Sequence, residues 1–183
     1  MSMKLPFLLL FIACTSLLSA NAADHLEEDV KAATLVRKDQ AAPDFTCRTT
    51  DNREIKLSAL KGKVVLLYFF STKSVPASVF EMKYLEKEIF QKLQKRDDFQ
   101  LLAIGRGHTR EELVKIGGEN KLTFPLVPDE KEEICRHYFN KFVPRKVVLR
   151  RDGTIAYLAS GYAEFDGIVN LQQVIARELA YKP

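Results

Sequence analysis

A chain of 183 residues that is 46% hydrophobic and 28% charged is large enough for one compact domain with its own core, and its composition excludes a disordered or fibrous protein. The formal charge of +4 comes from 28 Lys and Arg interspersed with 24 Asp and Glu, with no basic stripe, so nucleic acid is not an expected partner. Of the three cysteines, Cys14, Cys47 and Cys135, no two form a C-x-x-C pair, which predicts neither a dithiol of that spacing nor a structural zinc site; no metal or cofactor is expected.

The amino terminus has Lys4, an apolar run from Leu5 to Leu18, then Ser19-Ala20-Asn21-Ala22 before acidic residues. That is the three-part pattern of a secretory signal, and residues 1–22 read as a leader cleaved after Ala22. The apolar run falls short of the ~20 residues a bilayer requires, so no transmembrane segment is expected once the leader is gone. An exported protein, periplasmic or secreted, follows. Cys14, preceded by Phe-Ile-Ala, is the less favoured alternative of a lipid-modified cysteine. Residues 23–41 are charged and weakly helical, a mobile lead-in to a domain over 42–183.

Within that domain, Phe45 and Cys47 lie two apart on one face of a short strand, and Asp51-Asn52-Arg53-Glu54 turns the chain into a second strand at Ile55 and Leu57. Val64 to Phe70 is too uniformly apolar for a half-exposed strand and reads as a central strand buried on both faces. After it comes a short polar loop containing Pro76, at the sheet edge where open α/β folds place ligands. From Pro76 onward, Val79, Met82, Leu85, Ile89 and Leu93 recur at helical spacing. Phe99 to Ile104 is a second buried strand, ending in the loop Gly105-Arg106-Gly107-His108, which lacks the pattern of a phosphate cradle. With no acidic partner evident, His108 reads as a solvated loop residue, and no histidine stands near the Pro76 loop in sequence to serve as a base.

Thr109 with Glu112, and again Asp129 with Glu132, have the spacing of a capping box opening a helix. The second of these helices carries Cys135 beside Ile134 and Tyr138, where it reads as a packed thiol; a Cys47–Cys135 disulfide stays open, as exported chains permit one. Arg151-Asp152-Gly153-Thr154 is a tight turn joining two strands of a hairpin. A final helix presents Phe165, Ile168, Leu171, Val174, Ile175 and Leu179 as one apolar stripe.

Several phrases, in order, resemble the thioredoxin superfamily in its exported TlpA/ResA and AhpC/TSA (redoxin) branch. These are Ala42-Pro43-Asp44-Phe45; Gly62, Lys63, Val64, Val65, Leu66, Phe69, Phe70, Thr72, Pro76, Glu81 and Met82; Phe124-Pro125 with Asp129; and Val143-Pro144 with Leu149. The resemblance implies an α/β thioredoxin-like fold, a central mixed β-sheet flanked by helices with an amino-terminal redoxin-type β-hairpin. It further implies a cis Pro144 facing the loop that, in the family, carries two redox cysteines. Here those positions fall on Ser74 and Ala77 counted from the strand, or on Val75 and Ser78 counted back from Glu81-Met82, and the usual tryptophan is Lys73.

Disulfide exchange needs an attacking thiolate and a resolving thiol, and this loop has neither. The expectation is therefore a non-catalytic member that binds a protein or peptide in the groove formed by Lys73, Ser74, Pro76, Val143, Pro144 and Arg145. The alternatives are a thiol oxidoreductase or peroxidase using a displaced thiol, Cys135 before Cys47, and a structural subunit that docks through some other face.

Overall fold

The computed structural model describes residues 24, 25, 27–161 and 165–181, so the leader read over 1–22, with Cys14, lies outside the described residues. The organising element is the first strand of the main sheet, β3 (Val64–Phe70), in which every residue is buried. Two shorter strands precede it. β1 (Thr46–Arg48) and β2 (Glu54–Lys56) pair antiparallel, with Cys47 opposite Ile55, as the amino-terminal hairpin.

Both flanks of β3 are occupied. It runs parallel to β4 (Phe99–Arg106) on one side and antiparallel to β6 (Arg145–Leu149) on the other. β5 (Leu126–Asp129) extends the sheet beyond β4, and β7 (Ile155–Ser160) extends it beyond β6, giving the mixed order β5-β4-β3-β6-β7. The pleat then assigns side chains to opposite faces. Val64, Leu66, Tyr68 and Phe70 join one core with Met82, Leu85, Ile89, Leu171 and Ile175. Val65, Leu67 and Phe69 join a second with Phe45, Cys47, Cys135, Tyr138 and Phe139. Burial on both faces is why the run shows no polar alternation.

The helix over the first core, α1, spans Ser78–Leu85 and continues through a π turn, Glu86–Phe90, into Gln91–Leu93. The π turn begins at Glu86, whose buried carboxylate accepts the Thr123 N–H at 2.7 Å and the Thr123 hydroxyl at 2.5 Å, tying the helix to the chain leading into β5. Next, α2 (Arg110–Asn120) starts with the expected box, Thr109 Oγ1 accepting from the Glu112 N–H while Glu112 accepts from the Thr109 N–H. α3 (Phe165–Ala180) packs Leu171, Val174, Ile175 and Leu179 into the first core. None of the described helices is long and apolar enough to cross a membrane.

Two expectations fail. Asp129 does not open a helix with Glu132, because Glu132 has a left-handed backbone (φ 59°) and cannot sit in a first helical turn. Asp129 instead accepts the N–H groups of Ile134 and Cys135, at 3.1 and 2.9 Å, and only a 3₁₀ turn, Cys135–His137, forms. Nor is the lead-in mobile throughout 23–41. Residues 27–32 are helical, Ala33 and Val36 are buried, and the Leu35 N–H donates to the Tyr138 carbonyl while the Asn140 N–H donates to the Ala33 carbonyl, both at 2.9 Å. Further on, the Asp39 N–H donates to Ile155 and the Ile155 N–H to Gln40. Two small apolar residues, Ala33 and Val36, main-chain pairing and side-chain bonds from Arg145 to Thr34 and Arg150 to Asp39 hold this segment, and a charged sequence signals none of them.

Candidate functional site

The register brings three loops to one edge of the sheet. Phe69 pairs with Arg145 and Phe70 with Gly105, so the segments after β3, after β4 and before β6 all emerge together. The first, residues 71–77, folds as consecutive turns in which the Val75 N–H donates to Ser71 and the Ser78 N–H to Val75, both at 2.9 Å. Lys73, Ser74, Pro76 and Ala77 are exposed and Val75 is half-buried. Across from them Val143 is half-buried, Pro144 is buried, and the bond between them is cis.

His108 departs most from expectation. Rather than a solvated loop residue, it is buried at 1% exposure, stacked on Phe70 and bonded to the loop of residues 71–77. Its Nε2 accepts the Thr72 N–H at 3.1 Å, its Nδ1 lies 3.2 Å from Glu112 Oε2, and Lys73 Nζ donates to Glu112 Oε1 and to the Gly107 carbonyl, each at 2.8 Å. Glu112 thus serves the helix cap, the imidazole and the loop at once. Room for the ring comes from Gly105, where a Cβ would stand 3.2 Å from the His108 Cβ and 2.8 Å from Leu113. The missed acidic partner was legible: Glu112 stands four residues on and had already been read as a cap.

Burial pushes the His108 pKa below its ordinary value and Lys73 adds to this, while Glu112 works the other way. The Lys73 ammonium, the Thr109 N–H and the imidazole together hold the Glu112 carboxyl at about 2. Although the Thr72 hydroxyl lies 3.3 Å from Nε2, this row of hydroxyl, imidazole and carboxylate is not poised as a nucleophile and base. The Nε2 lone pair is already engaged by the Thr72 main chain.

Beneath the loop lies a second ionic group. Glu81 Oε1 pairs with Lys146 Nζ at 2.5 Å, Glu81 Oε2 accepts the Tyr68 hydroxyl at 2.9 Å, and Lys146 also donates to the Gly161 carbonyl at 2.7 Å. Burial pulls the Lys146 pKa down, partly offset by Glu81. One helical turn before Glu81, the Ser78 hydroxyl is fully buried with no hydrogen-bond partner among the described residues.

One further site expectation needs correcting. Arg145 does not line the groove. Its guanidinium is buried, donating to the Phe142 and Lys141 carbonyls and to the Thr34 hydroxyl and lying 4.9 Å over the Phe139 ring, with burial drawing its pKa to about 10. Hence it braces the 141–144 turn from behind. Cys47 and Cys135 are free thiols, 8% and 1% exposed, both packed in the second core, and form no disulfide with each other. Burial pushes Cys47 to about 11, and burial with the Asp129 charge pushes Cys135 well above the ordinary thiol range. Reactive cysteines show the opposite shift. No cluster of metal-ligating side chains occurs among the described residues.

A model of the AhpC/TSA family matches residues 39–158. The chain belongs to the AhpC/TSA family. Within it, the chain is 28% identical over 128 residues to the thiol-disulfide oxidoreductase ResA of Geobacillus thermodenitrificans, covering 70% of this chain and 72% of that one. A proposed protein disulfide isomerase of Bacteroides thetaiotaomicron is similar in structure, with a TM-score of 0.76 at 32% identity, over 81% of this chain and 94% of its own. A secreted disulfide oxidoreductase of Mycobacterium tuberculosis shares the fold, with a TM-score of 0.60 at 20% identity over 73% and 95% of the two chains. This AhpC/TSA chain therefore has a thioredoxin-like fold, and its relatives include thiol-disulfide oxidoreductases.

Proposed function

We propose that this is an exported thioredoxin-like protein that performs no disulfide exchange and binds an extended protein or peptide segment in the cleft between residues 72–77 and 142–144. The supporting observation is the position of sulfur. No cysteine occurs in residues 73–78, and the two cysteines of the domain are buried in the second core with raised pKa values. A thiol that stays protonated and shielded neither attacks a disulfide nor a peroxide. Export is supported by the leader pattern over 1–22 and by the secreted structural relative.

Three residues past the loop, in the first turn of α1, Phe80 is 68% exposed, an apolar side chain of the kind that anchors small interfaces. Two measurements test the reading. Insulin reduction by the protein is expected to match the blank, and turnover abolished by Cys135→Ser would replace the proposal with displaced-thiol catalysis. In nitrogen-15 spectra, extended peptides are expected to move the amides of 73–77 and 142–143, and Ser74→Trp is expected to block this. Shifts confined to another face would favour a structural subunit instead.

A further inference from the structure

We propose that His108 is a proton-operated latch on the loop of residues 71–77, closed when the imidazole is neutral and opened when it is protonated. As regulation of the binding cleft it rests on the function proposed above, but the latch itself is a property of the chain alone.

The argument begins with the tautomer. A backbone amide can only donate, so the Thr72 N–H at 3.1 Å requires a lone pair on Nε2. The single ring proton of neutral His108 then lies on Nδ1, where Glu112 Oε2 receives it at 3.2 Å. A second proton has only Nε2 to occupy, which sets one N–H against another. The Thr72 hydroxyl, 3.3 Å away, can turn to accept the new proton, but the Thr72 amide is left without an acceptor at a site where the ring is 1% exposed. A shielded amide without a partner is costly, and moving the loop outward to water relieves it.

The charges around the ring set the direction. Among the described residues those facing it are Glu112 from α2 and Lys73 from the loop itself, with Phe70 of β3 covering one side of the ring. Lys73 is the second attachment of the loop, through Glu112 Oε1 and the Gly107 carbonyl. An imidazolium on Glu112 Oε2 repels the Lys73 ammonium held on Oε1 of the same carboxylate. Protonation thus weakens both attachments together. Burial and Lys73 favour the neutral ring, keeping the latch closed until the pH falls below the ordinary 6.5.

The test is a titration of the nitrogen-15-labelled protein from about pH 7.5 to about pH 4.5, across the ordinary histidine range. At the upper end His108 is expected as the Nδ1–H tautomer, with a protected Thr72 amide. Below 6.5 the ring and the amides of 72 and 73 are expected to titrate with one shared midpoint. Through it, Thr72 exchange should rise about tenfold beyond its intrinsic pH dependence while β3 and β4 amides keep their protection. His108→Phe should flatten the loop's profile; should that variant not fold, the wild-type titration decides alone. An Nε2–H tautomer at the upper end, unchanged Thr72 protection through the ring titration, or β3 and β4 losing protection in step with Thr72 would each overturn the latch. Peptide titrations at both ends of the range separate the two ideas. A working latch with no peptide bound at either pH would retire the cleft and leave the latch standing.

Discussion

Two ionic networks meet at the same sheet edge and differ in what surrounds them. In the lower one, Glu81 and Lys146 are 0% and 2% exposed at their side chains, with Tyr68 alongside. In the upper one His108 is equally buried, but its partners Glu112 and Lys73 are 39% and 52% exposed and reach water. A charge pair sealed from solvent has no cheap alternative state, because either ion alone would be stranded in a medium of low polarisability. A network with one end in water can exchange a protein partner for solvent at little cost. The lower network therefore acts as a fixed strut between α1 and β6, and the upper as an adjustable fastening for the loop.

The strongest test of that contrast removes one half of the strut. Lys146→Met takes from buried Glu81 the cation 2.5 Å away and is expected to cost about 3–5 kcal/mol, read as a lowered urea midpoint. The double variant Glu81→Leu with Lys146→Met removes both charges and should recover most of that loss. A single variant as stable as the wild type would mean that the strut is not closed to water.

The seat of the upper network is more easily damaged than its members. Gly105→Ala brings a methyl group to 2.8 Å from Leu113 Cδ2 and 3.2 Å from His108 Cβ, so the buried Leu113 side chain must shift and His108 must give by a few tenths of an ångström. A loss of about 1–3 kcal/mol is expected, the usual cost of overpacking, together with faster exchange of the Thr72 amide. Unchanged Thr72 protection would detach the loop from the position of the ring.

How much of this was legible depended on how local each cause is. The two-faced strand Val64–Phe70, the box Thr109–Glu112 and the helix stripe through Leu171 and Ile175 rest on spacings of a few residues, whereas the fold itself was implied by the family resemblance of several phrases in order. His108 was misread because its decisive neighbour, Thr72, lies 36 residues away and meets it only once β3 and β4 pair in parallel. Arg145 was misread for the same reason: the Thr34 hydroxyl it donates to lies in a segment whose docking no periodicity announces. Lys146, followed by the apolar run Val147-Val148-Leu149 in a fully buried strand, was a signal left unread. A buried lysine needs a carboxylate, and Glu81 was the acidic residue already singled out in the α1 phrase.

Acid should separate the networks without any mutation. His108 has a lowered pKa in the fold, so its neutral form contributes stability that is fully present above the unfolded value of 6.5 and is lost as pH falls through the folded value below it. Glu112 is depressed from 4.5 to about 2, so its contribution is present above 4.5 and disappears as pH drops toward 2. The urea midpoint is therefore expected to fall in two successive windows. Glu112→Gln should flatten the lower one. A midpoint constant from neutral pH down to about 4.5 would sever His108 from stability.

The smallest expected effect concerns the point between the networks. Ser78 lies one helical turn before Glu81, and its hydroxyl is buried with no partner among the described residues. Folding strips that hydroxyl of water and returns no partner among the described residues, so Ser78→Ala should stabilise by about 1 kcal/mol with an unchanged denaturant slope. The direction matters more than the size, because most substitutions at fully buried positions destabilise. A loss of stability on removing the hydroxyl would mean that it has a partner after all, such as a buried water reaching toward Glu81, and the strut below would then be joined to the loop above.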